Sequence, residues 1–401
     1  MLFSVAEDVK KHYYDPKLHG VDWENKISEA RKKIETAESM DGAVSEIAAV
    51  LDSLNDSHTF FVPPPRNQSH DYGFKMKMIG DRCYVVRVQP GSDAEKKGLR
   101  PGDLIAAINE HPVTRKTFWR IQYIYNFLRP QPGLRITVGA ATGQQHPLEI
   151  AAKSRPSDVA KFWLHQGINQ WVRDVQDERQ FERPRYFEQG NQLLVVKFPE
   201  FAFSASEADD IIARMRTHKA VILDLRDNPG GFSDTLDRLL GGLFENDQKV
   251  FERVMRNSTK PVSVTGRHHE AYVGRLVVLI NSGSASASEL FARVVQLEKR
   301  AFVMGDRSAG MVMEARRYQH ELYLDAGVFY GASVTDADLL MADSKSLEHV
   351  GVEPDIEVLP TPSDLANGRD PVLSKAAVLL GVKLTPEEAG RILPDKERPV
   401  H

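Results

Sequence analysis

Disulfide chemistry is the first thing missing: Cys83 is the only cysteine in 401 residues. One thiol closes no intramolecular bridge and builds no thiolate metal site. Charge of one sign is missing too, since Lys+Arg 52 against Asp+Glu 56 leaves a net charge of -4. With no basic stripe, this excludes a nucleic-acid binder that works by releasing counterions. No apolar run reaches a membrane span, and 276–280 is typical of the longest ones. Glu7, Asp8, Lys10 and Lys11 leave the first residues no room for the apolar core of a signal peptide. Neither G-x-G-x-x-G nor G-x-x-x-x-G-K-S/T occurs, which counts against a nucleotide-binding α/β protein. His268-His269-Glu270 has no second ligand pair at helical spacing and reads as a solvated loop.

What is present is a soluble, core-forming composition, 41% hydrophobic and 27% charged, long enough for two or three domains. Val5, Val9 and Tyr13 share one helical face, and Val44, Ile47, Leu51 and Leu54 another, so residues 1–66 are expected to be helical. The last of these helices should stop in Asn55-Asp56-Ser57-His58, and Pro63-Pro64-Pro65 forces an extended exit. Residues 70–153 change to short β runs (83–88, 104–108 and 134–138) punctuated by Gly and Pro. Residues 154–190 are polar and charged, with Trp163 and Trp171, and read as a linker with a connecting helix. From 191 to 362 strand and helix alternate, which predicts an α/β core with parallel strands at 193–198, 220–225, 276–280 and 301–304. A helix over 371–380, capped by Asp370 with Pro371 at its first position, opens the last stretch, 363–401.

Three segments could carry chemistry. Asn281-Ser282-Gly283-Ser284-Ala285-Ser286-Ala287-Ser288-Glu289 lies between a strand and a helix. There a serine hydroxyl can be exposed where N–H groups and the helix dipole favour an oxyanion. Ser286-x-x-Glu289 is equally a capping box, and both readings stand. Asp227-Asn228-Pro229-Gly230-Gly231 follows a strand, and paired glycines let backbone approach a ligand or simply make a tight loop. Ser57-His58 offers an imidazole, the natural base for a serine, and Glu348 or Asp355 could orient it.

Together these segments resemble the tail-specific, or C-terminal processing, serine peptidases, in the tricorn-like branch. Asp224-Leu225-Arg226-Asp227-Asn228-Pro229-Gly230-Gly231 is similar to the family's strand-loop signature, and Ser284-Ala285-Ser286-Ala287-Ser288-Glu289 to its nucleophile motif. Gly351-Val352-Glu353-Pro354-Asp355 is similar to its closing motif. The resemblance implies a mixed α/β catalytic core of the crotonase-like or ClpP-like kind, with a helical N-terminal region and an inserted PDZ domain. That insert is carried by 90–105, and Tyr72-Gly73-Phe74 stands where a PDZ domain captures a peptide carboxylate.

The resemblance further implies an acyl-enzyme at Ser286 with no metal and no cofactor. Relatives with a Ser-Lys dyad carry the Lys where this chain has Met311, and a thioether accepts no proton. Either the chain is a catalytically inactive peptide-binding homologue, or its base comes from elsewhere. The tricorn-like branch implies His58 as base, Glu348 fixing the imidazolium and Ser57 orienting the carboxylate. The oxyanion hole is then expected from the N–H of Ala287 and the Gly230-Gly231 loop. Expected partners are a peptide or unfolded protein, with its C-terminus at the PDZ domain, and assembly into an oligomer is compatible with the family. Periplasmic or secreted localisation follows from the resemblance alone.

Overall fold

The computed structural model describes residues 1–139, 145–156, 183–323 and 327–393. Three helices open the chain: α1 (Leu2–His12), α2 (Trp23–Glu35) and α3 (Met40–Asp52). Val5, Val9, Tyr13, Val44, Ile47 and Leu51 are buried together, as their spacing predicts. Asp22 and Ser39 cap the second and third helices through their side chains. After α3 the chain turns through Asn55, with φ +50°, into the short strand β1 (Phe60–Val62).

The insert is a six-stranded antiparallel sheet around its own core, which includes Cys83, Ile105, Ile136 and Ile150. Its strands follow β2 (Gln68–Asp71) as β3 (Phe74–Ile79), β4 (Arg82–Val88), β5 (Leu104–Ile108), β6 (His111–Pro112), β7 (Gly133–Gly139) and β8 (Gln145–Ala151). The path runs β3-β4-β5-β7-β8, with β6 on β5 and β3 at one end. Helix α4 (Asp93–Lys96) and helix α5 (Arg115–Tyr123) complete it. The strand β9 (Lys153–Pro156) returns to pair with β2.

The main sheet has the order β10-β11-β12-β15-β16-β19. Its members are β10 (Arg185–Gln189), β11 (Leu193–Lys197), β12 (Ala220–Asp224), β15 (Arg275–Ile280), β16 (Phe302–Gly305) and β19 (Ile356–Glu357). All pairs are parallel except β10 with β11. Every residue of β11 and β12 is buried, the pattern of strands covered on both faces. One face carries α6 (Ala205–Arg216), α7 (Ser233–Gly241) and α8 (Ala287–Leu297). The other is covered by α10 (Pro371–Leu379) and α11 (Pro386–Arg391), which follow the short α9 (Pro362–Ala366).

A second sheet joins β13 (Gln248–Met255), β14 (Ser258–Val264), β17 (Met313–Tyr323) and β18 (Gly327–Met341) to β1. The long strand β18 pairs with β1, β13 and β17, so it ties the N-terminal helices to the core.

The expected linker differs at its two ends: 153–156 and 185–189 are strands, the second belonging to the main sheet. The Trp163 and Trp171 stretch lies outside the described residues. Among the described residues no helix is long and apolar enough to cross a membrane.

Candidate active site

Two loops at the carboxyl ends of β12 and β15 are knitted together by Asn228. Its Nδ2 donates to the Phe198 carbonyl (3.1 Å), and its own carbonyl accepts from Ala285 N (3.0 Å) and Ser288 Oγ (3.0 Å). This buried lattice sets Ser286 at the mouth of α8 with φ +53° and ψ −119°. Such a conformation costs a residue with a Cβ about 1–3 kcal/mol and persists only where the surroundings over-determine it. Gly230 lies against it: a Cβ built there would sit 2.7 Å from Ser286 Cβ and 3.0 Å from Ala287 N.

The carboxylate of Glu289 is wholly buried beneath Ser286. It accepts from Ser308 Oγ (2.6 Å), Gly310 N (2.8 Å), Met311 N (2.9 Å) and Ser286 N (3.1 Å). Burial pushes its pKa up to about 7, while those four donors favour the anion. Half of the capping-box reading is thus realised: Glu289 reaches back to the Ser286 N–H, but it also grips the 308–311 turn. Met311 takes part through its backbone, since its carbonyl accepts the Ser286 N–H at 2.9 Å.

The next residue leads to the other half of the site. Val312 N donates to Glu348 Oε2 at 2.9 Å. Ser57 grips the same carboxylate twice, N to Oε1 at 2.8 Å and Oγ to Oε2 at 2.9 Å. The same Ser57 Oγ lies 2.8 Å from His58 Nδ1. An unbroken path therefore runs from Ser286 through Met311, Val312, Glu348 and Ser57 to His58. Among the described residues no hydrogen bond joins Ser286 to His58 directly.

The structure gives these expected residues a finer arrangement. Glu348 does not touch the imidazole: its oxygens are taken by Ser57 and Val312, and Ser57 stands between carboxylate and ring. In the Gly230-Gly231 loop, the Gly230 N–H donates to Asn228 Oδ1 at 2.9 Å. The N–H groups of Gly231 and Ala287 make no hydrogen bond among the described residues. At the insert, the Gly73 N–H is held by Asp71 Oδ1 at 2.9 Å, and the Tyr72 ring is buried with its hydroxyl on the Gln131 carbonyl (3.1 Å). Phe74 opens β3.

Asp56 carries a role that its neighbours Ser57 and His58 do not reveal. It is buried, and its Oδ1 accepts from His58 N (2.8 Å), Thr59 N (3.1 Å) and Thr335 Oγ1 (2.7 Å). Its Oδ2 is buried without a hydrogen bond. Burial lowers the His58 pKa, and the Asp56 charge opposes that. Burial raises the pKa of Glu348 against the N–H groups of Ser57 and Val312. The sequence signal was only an acidic residue in a helix-ending turn, which is common in any protein.

The insert docks beside these loops. Lys77 Nζ lies 2.7 Å from Asp227 Oδ2, Ser282 Oγ donates to the Met78 carbonyl at 2.5 Å, and Arg115 pairs with Asp306 at 2.7 Å. Behind them Arg226 bridges Asp224 and Asp370, each at 2.8 Å, tying the loop after β12 to the cap of α10. Among the described residues no group of three His, Cys, Asp or Glu could hold a metal ion.

Residues 192–358 match Peptidase family S41, and residues 63–118 match the PDZ domain. The chain is 24% identical over 366 residues to the chloroplastic carboxyl-terminal-processing peptidase 3 of Arabidopsis thaliana, spanning 87% of this chain and 66% of that protein. It is 26% identical over 326 residues to the tail-specific protease of Haemophilus influenzae, spanning 75% and 43%. The chain thus spans at most about two thirds of these relatives' length. Mature CPAF superposes with a TM-score of 0.66 over 91% of this chain and 93% of that one, at 15% identity, a likeness of fold.

Proposed function

From the match of residues 192–358 to Peptidase family S41 and of 63–118 to the PDZ domain, we propose hydrolysis of peptide bonds through an acyl-enzyme at Ser286. The observation that carries the reading is Ser57 Oγ, held between His58 Nδ1 and Glu348 Oε2 on the path to a strained serine.

His58 Nε2 takes the proton of Ser286 as Oγ bonds to the substrate carbonyl carbon. The Nδ1 proton points to Ser57 Oγ, whose own proton points to Glu348, so the carboxylate stabilises the imidazolium through a hydroxyl. Gly231 and Ala287 offer their N–H groups to the oxyanion, and the positive end of α8 favours the same charge. The imidazolium returns its proton to the leaving amine as the C–N bond breaks. Water then gives a proton to His58 as its oxygen bonds to the acyl carbon, and the imidazolium returns that proton to Ser286 Oγ as the ester C–O bond breaks and the acid leaves. Met311 is no obstacle, because the base is His58 and Met311 serves through its backbone. The substrate class is a polypeptide, with the PDZ domain as an accessory site.

The test is to incubate the protein, Ser286→Ala and His58→Ala with an unfolded protein and to follow cleavage by mass spectrometry. Cleavage by the parent alone is expected. Cleavage by Ser286→Ala overturns the nucleophile, cleavage by His58→Ala overturns the base, and an inert parent turns the reading to a peptide-binding homologue.

A further inference from the structure

We infer that the PDZ groove of this chain takes an internal, extended segment of polypeptide, not a free C-terminal carboxylate. The inference deepens the reading of the chain as a peptidase by naming how substrate is held.

A PDZ groove captures a chain end by presenting bare N–H groups of the loop before its edge strand to the terminal carboxylate. In this chain that loop already holds a carboxylate. Asp71 Oδ1 accepts the Gly73 N–H at 2.9 Å, and Gln89 Nε2 lies 3.2 Å from Oδ2. Arg155 approaches Oδ2 at 3.4 Å, so this cation is engaged by Asp71 as well. An incoming carboxylate meets a like charge a few ångströms away and competes for a donor already in use, both of which disfavour it. Tyr72 cannot compensate with its side chain, which is buried in the core of the insert.

The edge strand itself suits a strand partner. The β3 strand ends its sheet, so adding a segment there needs only main-chain hydrogen bonds and no chain terminus. Its far end abuts the catalytic loops: Ser282 Oγ donates to the Met78 carbonyl, and Gly80 N donates to Asp306 Oδ2 at 3.0 Å. Ser282 precedes Ser286 by one short turn of chain. A segment laid along β3 is thereby led toward the nucleophile at one end, while at the other the Gly73 N–H is already taken by Asp71. An anion-repelling loop beside a usable edge is the arrangement for gripping a chain in its middle.

The test uses the full-length Ser286→Ala protein, so that binding is read without turnover and stands apart from the assignment of the base or the nucleophile. Two pools of labelled random-sequence dodecapeptides, identical except for a free acid or an amide at the C-terminus, are titrated by fluorescence anisotropy. Hydrogen exchange then locates the bound pool. Equal apparent Kd values within twofold are expected, with slowed exchange over 74–79. In an Asp71→Ala background the acid pool should tighten at least fivefold relative to the amide. A parent that prefers the acid pool tenfold overturns the inference. So does binding without protection of 74–79, or no binding of either pool. An Asp71→Ala protein without the gain, but with an unchanged Tm, overturns the part assigned to Asp71.

Discussion

Removing one oxygen, that of Ser57, separates the proposed relay from its alternatives. Ser57→Ala deletes the contacts to His58 Nδ1 (2.8 Å) and Glu348 Oε2 (2.9 Å) together. The carboxylate does not drift, because it keeps the backbone N–H groups of Ser57 (2.8 Å) and Val312 (2.9 Å). What is lost is therefore the link between carboxylate and ring. Hydrogen bonds to charged groups are worth about 1.5–3 kcal/mol, and each ~1.4 kcal/mol of transition-state stabilisation is a factor of ten in rate. A fall in kcat of about 10- to 150-fold is expected. KM should stay within about twofold, since the imidazolium exists only as the reaction proceeds. Steady-state cleavage of a quenched peptide, beside melting curves, measures both. Glu348→Gln should cost a similar factor. The double variant should be no worse than the poorer single one, because two links in series are lost once. A Ser57→Ala protein as fast as the parent, or a double variant whose losses multiply, refutes the relay.

Four further predictions follow from the same geometry. A buried His58 with a lowered pKa is neutral, and so able to act as base, to lower pH than a free imidazole; the acid limb of kcat/KM should lie below about 6.5. Asp56→Asn removes the charge that favours the imidazolium and should move that limb further down, while a limb that moves up contradicts the assignment. The same shift makes stability pH-dependent: the His58 contribution is complete above its unfolded value of about 6.5 and is lost as pH falls through the folded value, so His58→Phe should flatten that part of a Tm-against-pH curve. Gly230→Ala puts a Cβ 2.7 Å from Ser286 Cβ at φ +103°, which should cost about 2–4 kcal/mol in strain and crowding and remove most of kcat; a fully active variant counts against the tight packing around Ser286. Arg226→Met leaves Asp224 with only Lys197 as a cation partner and Asp370 with only the Leu373 N–H, and should lower the unfolding free energy by about 2–4 kcal/mol in denaturant titrations, with an unchanged midpoint as the contrary result.

Strands buried on both faces were legible in the sequence, because continuous apolar runs such as 220–223 and 276–280 leave few alternatives. Ser57, His58 and Glu348 were legible as a set through their resemblance to the family's motifs, and the fold brings them within hydrogen-bond distance across 291 positions. The order of the relay was not, since the rotamer of a serine decides whether it stands beside or between its partners. The strand over 185–189 reads as polar linker because it lies at a sheet edge, and Glu188 and Gln189 are exposed. The same holds for β17, whose Met-Glu-Ala-Arg-Arg-Tyr-Gln-His-Glu-Leu-Tyr carries no clean alternation; its partner β18 sets its register. The fate of the Gly73 and Gly230 N–H groups turned on single acceptors, Asp71 and Asn228, and such local competition has no periodic signature.

The strand β18 has a consequence for the order in which the molecule comes into being. It pairs with β1, just beyond His58, and with β17, just beyond Val312, yet it is made long after the first of these. During synthesis the imidazole emerges early, the serine much later, and Glu348 after both. Pairings this distant along the chain form late, because closing so long a loop is costly until the whole sheet rewards it. A growing chain therefore carries each reactive group in turn without ever joining them. If Ser286 and His58 act as proposed, cleavage by the chain waits on the pairing of β18 with β1 and β17.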